Sequence, residues 1–235
     1  MTGQLCLRRA FQDNALLAFA GGDKNLQLVE ATSPAAIVRV AVAFAGEAFM
    51  AEMHLGLAAN FAQRCSYILA VKKPIIAGIN GAVAGIGLVL TLYCDIRYMA
   101  AGAKLTTSFA RRGLIAEHGI SWMLPRLIGP MNAMDLLLSA RTVQAEEAAA
   151  LGLVRVLPAE GFAEAVQARA SDIANLSSPR STRIMKKQVY EALFQSLAEA
   201  TVIANREQEI CRDTDDFREG VAHYLEKRRP NFTGG

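Results

Sequence analysis

NGAVAGIGLVLTLYCDI, residues 80–96, places three glycines within seven residues, directly after the apolar run IIAGI at residues 75–79. That run is rich in β-branched side chains and predicts a short buried strand. The segment after the glycines carries no charge until Asp95 and predicts a short helix over residues 85–93. A strand, a glycine turn and a helix therefore follow one another, and this order indicates an α/β fold.

A membrane span is the alternative for this region. Residues 74–94 carry no charged side chain, and Gly81 and Gly85 form a G-x-x-x-G pattern, so length and pattern both fit a transmembrane helix. Asn80-Gly81, however, is a turn signal at the middle of the run, and Pro74 opens it. We therefore predict strand, turn and helix, and no membrane span.

The composition excludes several classes of function. The 235 residues are 52% hydrophobic and 20% charged, which is typical of a globular protein with one large core. The 25 basic and 22 acidic residues are spread along the chain, so nucleic-acid binding receives little support. The four cysteines and three histidines show no metal-ligand spacing, which predicts reduced thiols, no metal site and a cytoplasmic location. The first 14 residues lack the order of a signal peptide.

The remaining patterns predict an α/β core followed by a helical extension. We place the core at residues 1–174, of which the first 36 or so are atypical, and the extension at residues 175–235. Strands are predicted at residues 37–44, 75–79, 96–100, 104–107 and 153–157. Helices are predicted at residues 56–71, 85–93, 119–128, 131–139, 144–151, 161–174, 197–211 and 215–227, with a further long helix beginning near Pro179.

The glycine turn suggests a chemical role, because it lets a ligand approach the backbone and directs amide hydrogens toward it. Phosphate and dinucleotide sites fit poorly. The turn lacks the Lys-Ser/Thr of a P-loop, and it is not G-x-G-x-x-G followed by an acidic residue. Two interpretations stay open: the glycines form an oxyanion hole, or they only allow close packing of strand and helix.

Four separated motifs carry a resemblance to a known family. They are KKPIIAGINGAVAGIGLVLTLYCDIRY (72–98), GLIAEHGISWMLPRLIG (113–129), LLLSARTVQAEEAAALGLVRVLP (136–158) and DDFREGVAHYLEKRRPNF (215–232). In this order they resemble the enoyl-CoA hydratase/isomerase (crotonase) superfamily, strongly over residues 72–232. The resemblance implies an α/β spiral of repeated ββα units, with C-terminal helices used in trimerisation. It also implies a homotrimer or dimer of trimers that binds an acyl-CoA thioester and needs no separate cofactor.

The same resemblance assigns an oxyanion hole. Two backbone amides in the family hold the thioester oxygen, and their counterparts here are Ile86, between Gly85 and Gly87, and Met53. Met53 belongs to the phrase AFMAEMHL (48–55), in which Glu52 and His54 replace the glycine and aspartate of the family pattern. The second donor is therefore altered in this chain.

The carboxylates favour one reaction over another. Hydratases of the superfamily use two glutamates, and their positions hold Val89 and Phe109 here. Glu117 falls where enoyl-CoA isomerases of the superfamily carry their single acid, and we predict that it is the general acid/base. A surface residue near a helix start is the alternative for Glu117. Phe109 and Trp122 are expected at the substrate pocket.

The C-terminal motif adds a predicted CoA contact. Tyr224 and Lys227 match positions where the family places an aromatic ring and a lysine against the CoA adenine and phosphate. An exposed helix end with basic residues is the alternative. The predicted function is isomerisation of a 3-enoyl-CoA to a 2-enoyl-CoA. An atypical enoyl-CoA hydratase and a catalytically inactive acyl-CoA-binding trimer are the other candidates.

Overall fold

The structure is a computed structural model that describes residues 17–19, 58–63 and 65–235. The strand predicted at residues 37–44 and the predicted donor Met53 lie outside the described residues. The described residues form seven strands: β1 (Leu17–Phe19), β2 (Ile75–Ile79), β3 (Val83–Ala84), β4 (Ile96–Ala100), β5 (Lys104–Thr106), β6 (Val143–Gln144) and β7 (Arg155–Leu157).

The same described ranges contain eight α-helices. They are α1 (Ala58–Phe61), α2 (Ile86–Leu92), α3 (Ile120–Ser139), α4 (Ala145–Ala150), α5 (Phe162–Leu176), α6 (Pro179–Glu191), α7 (Leu197–Arg212) and α8 (Asp215–Glu226). Short 3₁₀ turns lie at Ser66–Ala70, Ala110–Arg112 and Ala192–Phe194. The α/β class and the predominantly helical C-terminal part agree with the sequence prediction.

The strands form two sheets, and their topology shows the repeated ββα unit. One sheet has the order β1-β2-β4-β7, in which β1 is antiparallel to β2 and the other neighbours are parallel. The other has the order β3-β5-β6. The units β2-β3-α2 and β4-β5-α3 each place their first strand in one sheet and their second strand in the other. Successive ββα units therefore stack side by side, as predicted.

Residues 74–94, for which a membrane span was the alternative, form two short strands and a short helix, as the turn signal indicated. All five residues of β2 are buried, β3 follows the turn, and α2 has only seven residues. Within the part of the chain that the structure describes, no helix is long and apolar enough to cross a membrane.

Two helix predictions need correction. The predicted helix at residues 56–71 is broken into α1 and a 3₁₀ turn, because Cys65 takes a positive φ of 74° between them. Phe61 and Ile68 are still buried, so the apolar residues reach the core without a continuous helix. The predicted helices at 119–128 and 131–139 run consecutively as α3, with a kink at Gly129, whose φ is 78° and ψ is 157°. Pro130 follows the kink and cannot donate a hydrogen bond.

A largely buried carboxylate joins helix α6 to the core. Asp95 Oδ2 accepts hydrogen bonds from Lys186 Nζ at 2.8 Å and from the Ile75 amide at 2.5 Å, and Oδ1 accepts from the Tyr190 hydroxyl at 2.8 Å. Burial lowers the pKa of Lys186, and the adjacent Asp95 acts in the opposite direction. Helix α6 is therefore fixed beside the start of β2.

Removing one partner of this pair is expected to destabilise the fold. We expect Lys186→Met to lower the free energy of unfolding by about 3 kcal/mol, because the largely buried Asp95 carboxylate would lose its ammonium partner. The measurement is urea denaturation. Lys187→Met is the matched control, since Lys187 is half exposed and its nearest carboxylate, Glu191, is 3.9 Å away. Equal stability of the two variants would contradict a structural role for the Asp95 pair.

Candidate active site

The glycine turn creates an open space at the start of α2. Gly85 has a φ of 51° and a ψ of −126°, which side-chain-bearing residues rarely adopt, and a Cβ placed on it would meet nothing within 4 Å. Its amide donates to the Thr106 carbonyl at 3.4 Å, which ties the turn to β5. Ile86 is the first residue of α2, so its amide has no acceptor within its own helix. This geometry suits a backbone donor beside a ligand.

A second turn precedes α3 and carries the predicted acid. His118 and Gly119 both have positive φ, at 54° and 77°. The Ile120 amide donates to the Glu117 carbonyl at 3.1 Å, and the Trp122 amide donates to the Gly119 carbonyl at 3.0 Å. The Glu117 side chain is 36% exposed, and its Oε2 lies 3.7 Å from His118 Nε2. Glu117 therefore lies at a partly shielded helix start.

Tyr93 connects the two turn-bearing helices. It caps the C-terminus of α2, and its hydroxyl donates to the His118 carbonyl at 3.0 Å. The residue is 3% exposed, and burial, with a smaller effect from Cys65, raises the pKa of its hydroxyl to about 12. The phenol therefore stays protonated and remains a donor at neutral pH.

A cavity of about 410 Å³ opens beside the turn that precedes α3. The Trp122 and Phe194 rings stack with centroids 5.5 Å apart and planes at 9°, and Phe61 meets Phe194 edge-on at 6.0 Å. The Arg126 guanidinium lies 3.9 Å from the Trp122 ring. The described lining residues are Asn60, Phe61, Gln63, Ser66, Leu69, Tyr93, His118, Gly119, Trp122 and Phe194. The wall therefore carries four Phe, Tyr or Trp rings together with amide and hydroxyl groups from residues 60–66.

Some predicted site residues border this cavity and others do not. Trp122 lines it, and Glu117 directly precedes the lining residues His118 and Gly119. The cavity's described lining does not include the predicted glycine-turn residues Gly85, Ile86 and Gly87. It also does not include Phe109, which is buried in the core. The structure thus places Glu117 and Trp122 beside the cavity, and leaves the oxyanion turn outside its described wall.

The predicted CoA residues lie elsewhere, at the end of α8. Tyr224 is 78% exposed, and Lys227 ends the helix with a φ of 54°. Arg228 is held by both carboxylate oxygens of Glu219, at 2.5 and 2.7 Å. This contact, with a smaller one from the Asn231 amide, lowers the pKa of Glu219 to about 2. Lys227 makes no ion pair among the described residues, and it is exposed.

Of the ten described residues that line the cavity, only Trp122 was predicted at the pocket, and Tyr93, Phe61 and Phe194 are among the others. Tyr93 is the last residue of the helix predicted at 85–93, but its hydroxyl contacts a residue 25 positions away. Phe61 and Phe194 are separated by more than a hundred residues and share no local pattern. The position of Tyr93 at the end of an apolar helix could have indicated a role near the site, whereas nothing in the sequence around Phe194 indicates one.

A family model described as Enoyl-CoA hydratase/isomerase matches residues 45–235 of this chain. The crystal structure of enoyl-CoA hydratase from Bacillus anthracis superposes with a TM-score of 0.70 at 30% identity, covering 74% of this chain and 68% of that one. The predicted crotonase-type fold is therefore confirmed.

Curated relatives agree with the family match. A protein named "Probable enoyl-CoA hydratase" from Rhodobacter capsulatus is 38% identical over 168 residues, which are 71% of this chain and 65% of the relative. The 1,2-epoxyphenylacetyl-CoA isomerase of Escherichia coli is 33% identical over 165 residues, 70% of this chain and 63% of that protein. The matched segment thus spans just under two thirds of these relatives' length. The resemblance seen in the four sequence motifs is confirmed, and the chain belongs to the enoyl-CoA hydratase/isomerase family.

Proposed function

We propose that the protein isomerises a 3-enoyl-CoA to a 2-enoyl-CoA. The Ile86 amide donates a hydrogen bond to the thioester oxygen, and Glu117 removes a proton from C2. The resulting dienolate carries its negative charge on the thioester oxygen, where a backbone donor stabilises it most. Glu117 then returns the proton to C4, and the double bond moves from C3–C4 to C2–C3. No resident cofactor takes part, because CoA belongs to the substrate.

The observation that carries this proposal is the distribution of carboxylates. Val89 is 0% exposed and Phe109 is 5% exposed, so the two positions that hold glutamates in two-carboxylate hydratases are apolar and buried here. No described residue that lines the cavity is acidic, and Glu117 is the carboxylate adjacent to that lining. Hydration needs one group to activate water and another to deliver a proton, whereas isomerisation needs one group that takes and returns the same proton.

The cavity supports an acyl substrate. Its aromatic wall, formed by Phe61, Trp122 and Phe194, favours burial of an apolar acyl chain. We assign the CoA end to the Tyr224 ring and the Lys227 ammonium, which would stack on adenine and pair with phosphate. These two residues are exposed on α8, so they are also able to serve the site of a neighbouring subunit.

A two-substrate assay tests the proposed reaction. Purified protein is offered a 3-enoyl-CoA and, separately, a 2-enoyl-CoA. We expect the first to be converted with the rise in ultraviolet absorbance that accompanies conjugation of the double bond with the thioester. Hydration of the second substrate without conversion of the first would replace this proposal with an atypical hydratase, which the names of the relatives favour. Thermal stabilisation by acyl-CoA with no turnover of either would indicate an acyl-CoA-binding protein.

We also propose that the protein assembles as a homotrimer or a dimer of trimers. Met131, Met134 and Leu138 lie on one face of α3 and are 80%, 53% and 69% exposed, and α8 exposes Phe217 and Leu225. Apolar faces of this extent are typical of subunit interfaces. We expect sedimentation equilibrium to give a mass of three or six chains, and Met131→Glu with Leu138→Glu to give monomers. A wild-type monomer would contradict this assembly.

A further inference from the structure

We propose that Tyr93 is a positioning residue that holds the turn bearing Glu117. The inference rests on the proposed function in one respect, namely that Glu117 is the group that moves the proton. Tyr93 stands at the opposite end of α2 from Ile86, about 10 Å along the helix axis. One short helix therefore presents the proposed oxyanion donor at its start and contacts the acid-bearing turn from its end.

The contact falls on the most constrained part of the turn. His118 takes a φ of 54°, a conformation that a side-chain-bearing residue keeps only when its surroundings enforce it. The Tyr93 hydroxyl donates to the carbonyl of this same residue at 3.0 Å. The hydroxyl is buried and protonated, so the hydrogen bond persists through the neutral and mildly alkaline range.

The adjacent glycine fits the hydroxyl closely. A Cβ placed on Gly119 would overlap the Tyr93 hydroxyl oxygen and would lie 3.7 Å from Tyr93 Cζ. Glycine at position 119 therefore serves two purposes, because its φ of 77° and the approach of the hydroxyl both exclude a side chain. Tyr93 and Gly119 are matched to each other.

The constraint reaches Glu117 through the backbone. Glu117 directly precedes His118, and its carbonyl accepts from the Ile120 amide at 3.1 Å, which closes the turn. A rotation of the His118 peptide would therefore swing the Glu117 side chain relative to the substrate. Because a displacement of about 1 Å of a catalytic group is able to cost about a hundredfold in rate, a loosened turn should reduce turnover more than binding.

The test compares two tyrosines that each lose one hydrogen-bonded hydroxyl. In Tyr93→Phe we expect kcat for the 3-enoyl-CoA to fall at least about tenfold while KM changes by less than about twofold. Tyr190→Phe is the control, because Tyr190 lies in α6 and its hydroxyl donates to Asp95 at 2.8 Å. For this variant we expect a lower Tm with unchanged kcat. If Tyr93→Phe retains the kcat of Tyr190→Phe, Tyr93 is not a positioning residue.

A double-mutant cycle tests the close approach independently. Gly119→Ala should lower Tm strongly, because it introduces both the overlap and an unfavourable φ. Adding Tyr93→Phe removes the overlap, since the nearest remaining ring atom is at ordinary contact distance. We therefore expect the double variant to have a higher Tm than Gly119→Ala alone. If the double variant instead has a lower Tm than Gly119→Ala, by the same amount that Tyr93→Phe lowers the wild-type Tm, the two residues are independent and the close contact between them is refuted.

A readout that does not depend on turnover separates this inference from the proposed function. If the wild type converts no 3-enoyl-CoA, the proposed function fails, and the positioning claim is judged by amide hydrogen exchange at Ile120 and Trp122. Exchange about tenfold faster in Tyr93→Phe, and not in Tyr190→Phe, supports the restraint on the turn. Equal exchange in the two variants rejects it.

Discussion

Glu117→Gln is expected to lower kcat for conversion of a 3-enoyl-CoA by about a thousandfold, with KM nearly unchanged. The amide keeps the size and hydrogen-bonding shape of the side chain, but it takes up no proton from C2. Because the side chain is 36% exposed and its only ion-pair partner among the described residues is His118, the fold should be unaffected. Stopped-flow or steady-state absorbance of the conjugated product provides the measurement.

Glu160→Gln is the matched control for this substitution. Glu160 is an exposed glutamate that follows β7, and it lies outside the described cavity wall. Its variant should retain wild-type kcat. Comparable activity of Glu117→Gln and Glu160→Gln would remove Glu117 from the mechanism and leave the family assignment intact, since that assignment rests on the whole matched chain.

Ile86→Pro is expected to lower kcat by about a hundredfold or more, because it deletes one proposed oxyanion donor. Proline is the one residue that removes the amide hydrogen, and the first position of a helix is where a proline is tolerated. Gly85, the preceding residue, is also compatible with a proline at position 86. Gly85, at φ 51° and ψ −126°, occupies the mirror image of the extended region that residues before proline prefer, and glycine is indifferent to that inversion.

Ile86→Ala is the control that isolates the amide. Ile86 is half-buried against the core, so both variants lose side-chain contacts, but only the proline variant loses the N–H. We expect Ile86→Ala to stay within about fivefold of wild-type kcat, while circular dichroism reports the same helix content for both. If the two variants have equal kcat and equal Tm, the backbone donor is elsewhere.

Local sequence patterns predicted the elements around the site well. The apolar run at 75–79 is β2 with the predicted bounds, and the charge-free segment after the glycines is α2. Pro179 is the first residue of α6, which agrees with the long helix predicted to begin near it, and Ser178 caps that helix by accepting from the Ser181 amide. Periodicity failed at residues 56–71, because the positive φ of Cys65 interrupts a stretch whose apolar spacing is helical.

The wall of the cavity shows why the rest escaped prediction. Phe194 stacks on Trp122 although no pattern near either residue points to the other. Lys186 meets Asp95 across 91 positions of chain, and no local pattern near either residue points to the other. Such contacts depend on how whole helices dock, which is set by packing over many residues and not by the few neighbours that determine a local conformation.

From its amino-acid order alone, this chain predicts a strand, a tight glycine turn and a helix whose first amide has no partner in its own helix. The apolar runs on either side favour the strand and the helix, and glycine reaches turn conformations that other residues rarely adopt. The same order excludes a pair of glutamates at the two positions that a two-carboxylate hydratase uses, since Val89 and Phe109 occupy them. The meeting of Tyr93 with the His118 carbonyl arises only when α2 and α3 are packed together. Tertiary packing thus selects which groups surround Glu117, because proximity in space between distant residues is a property of the assembled core.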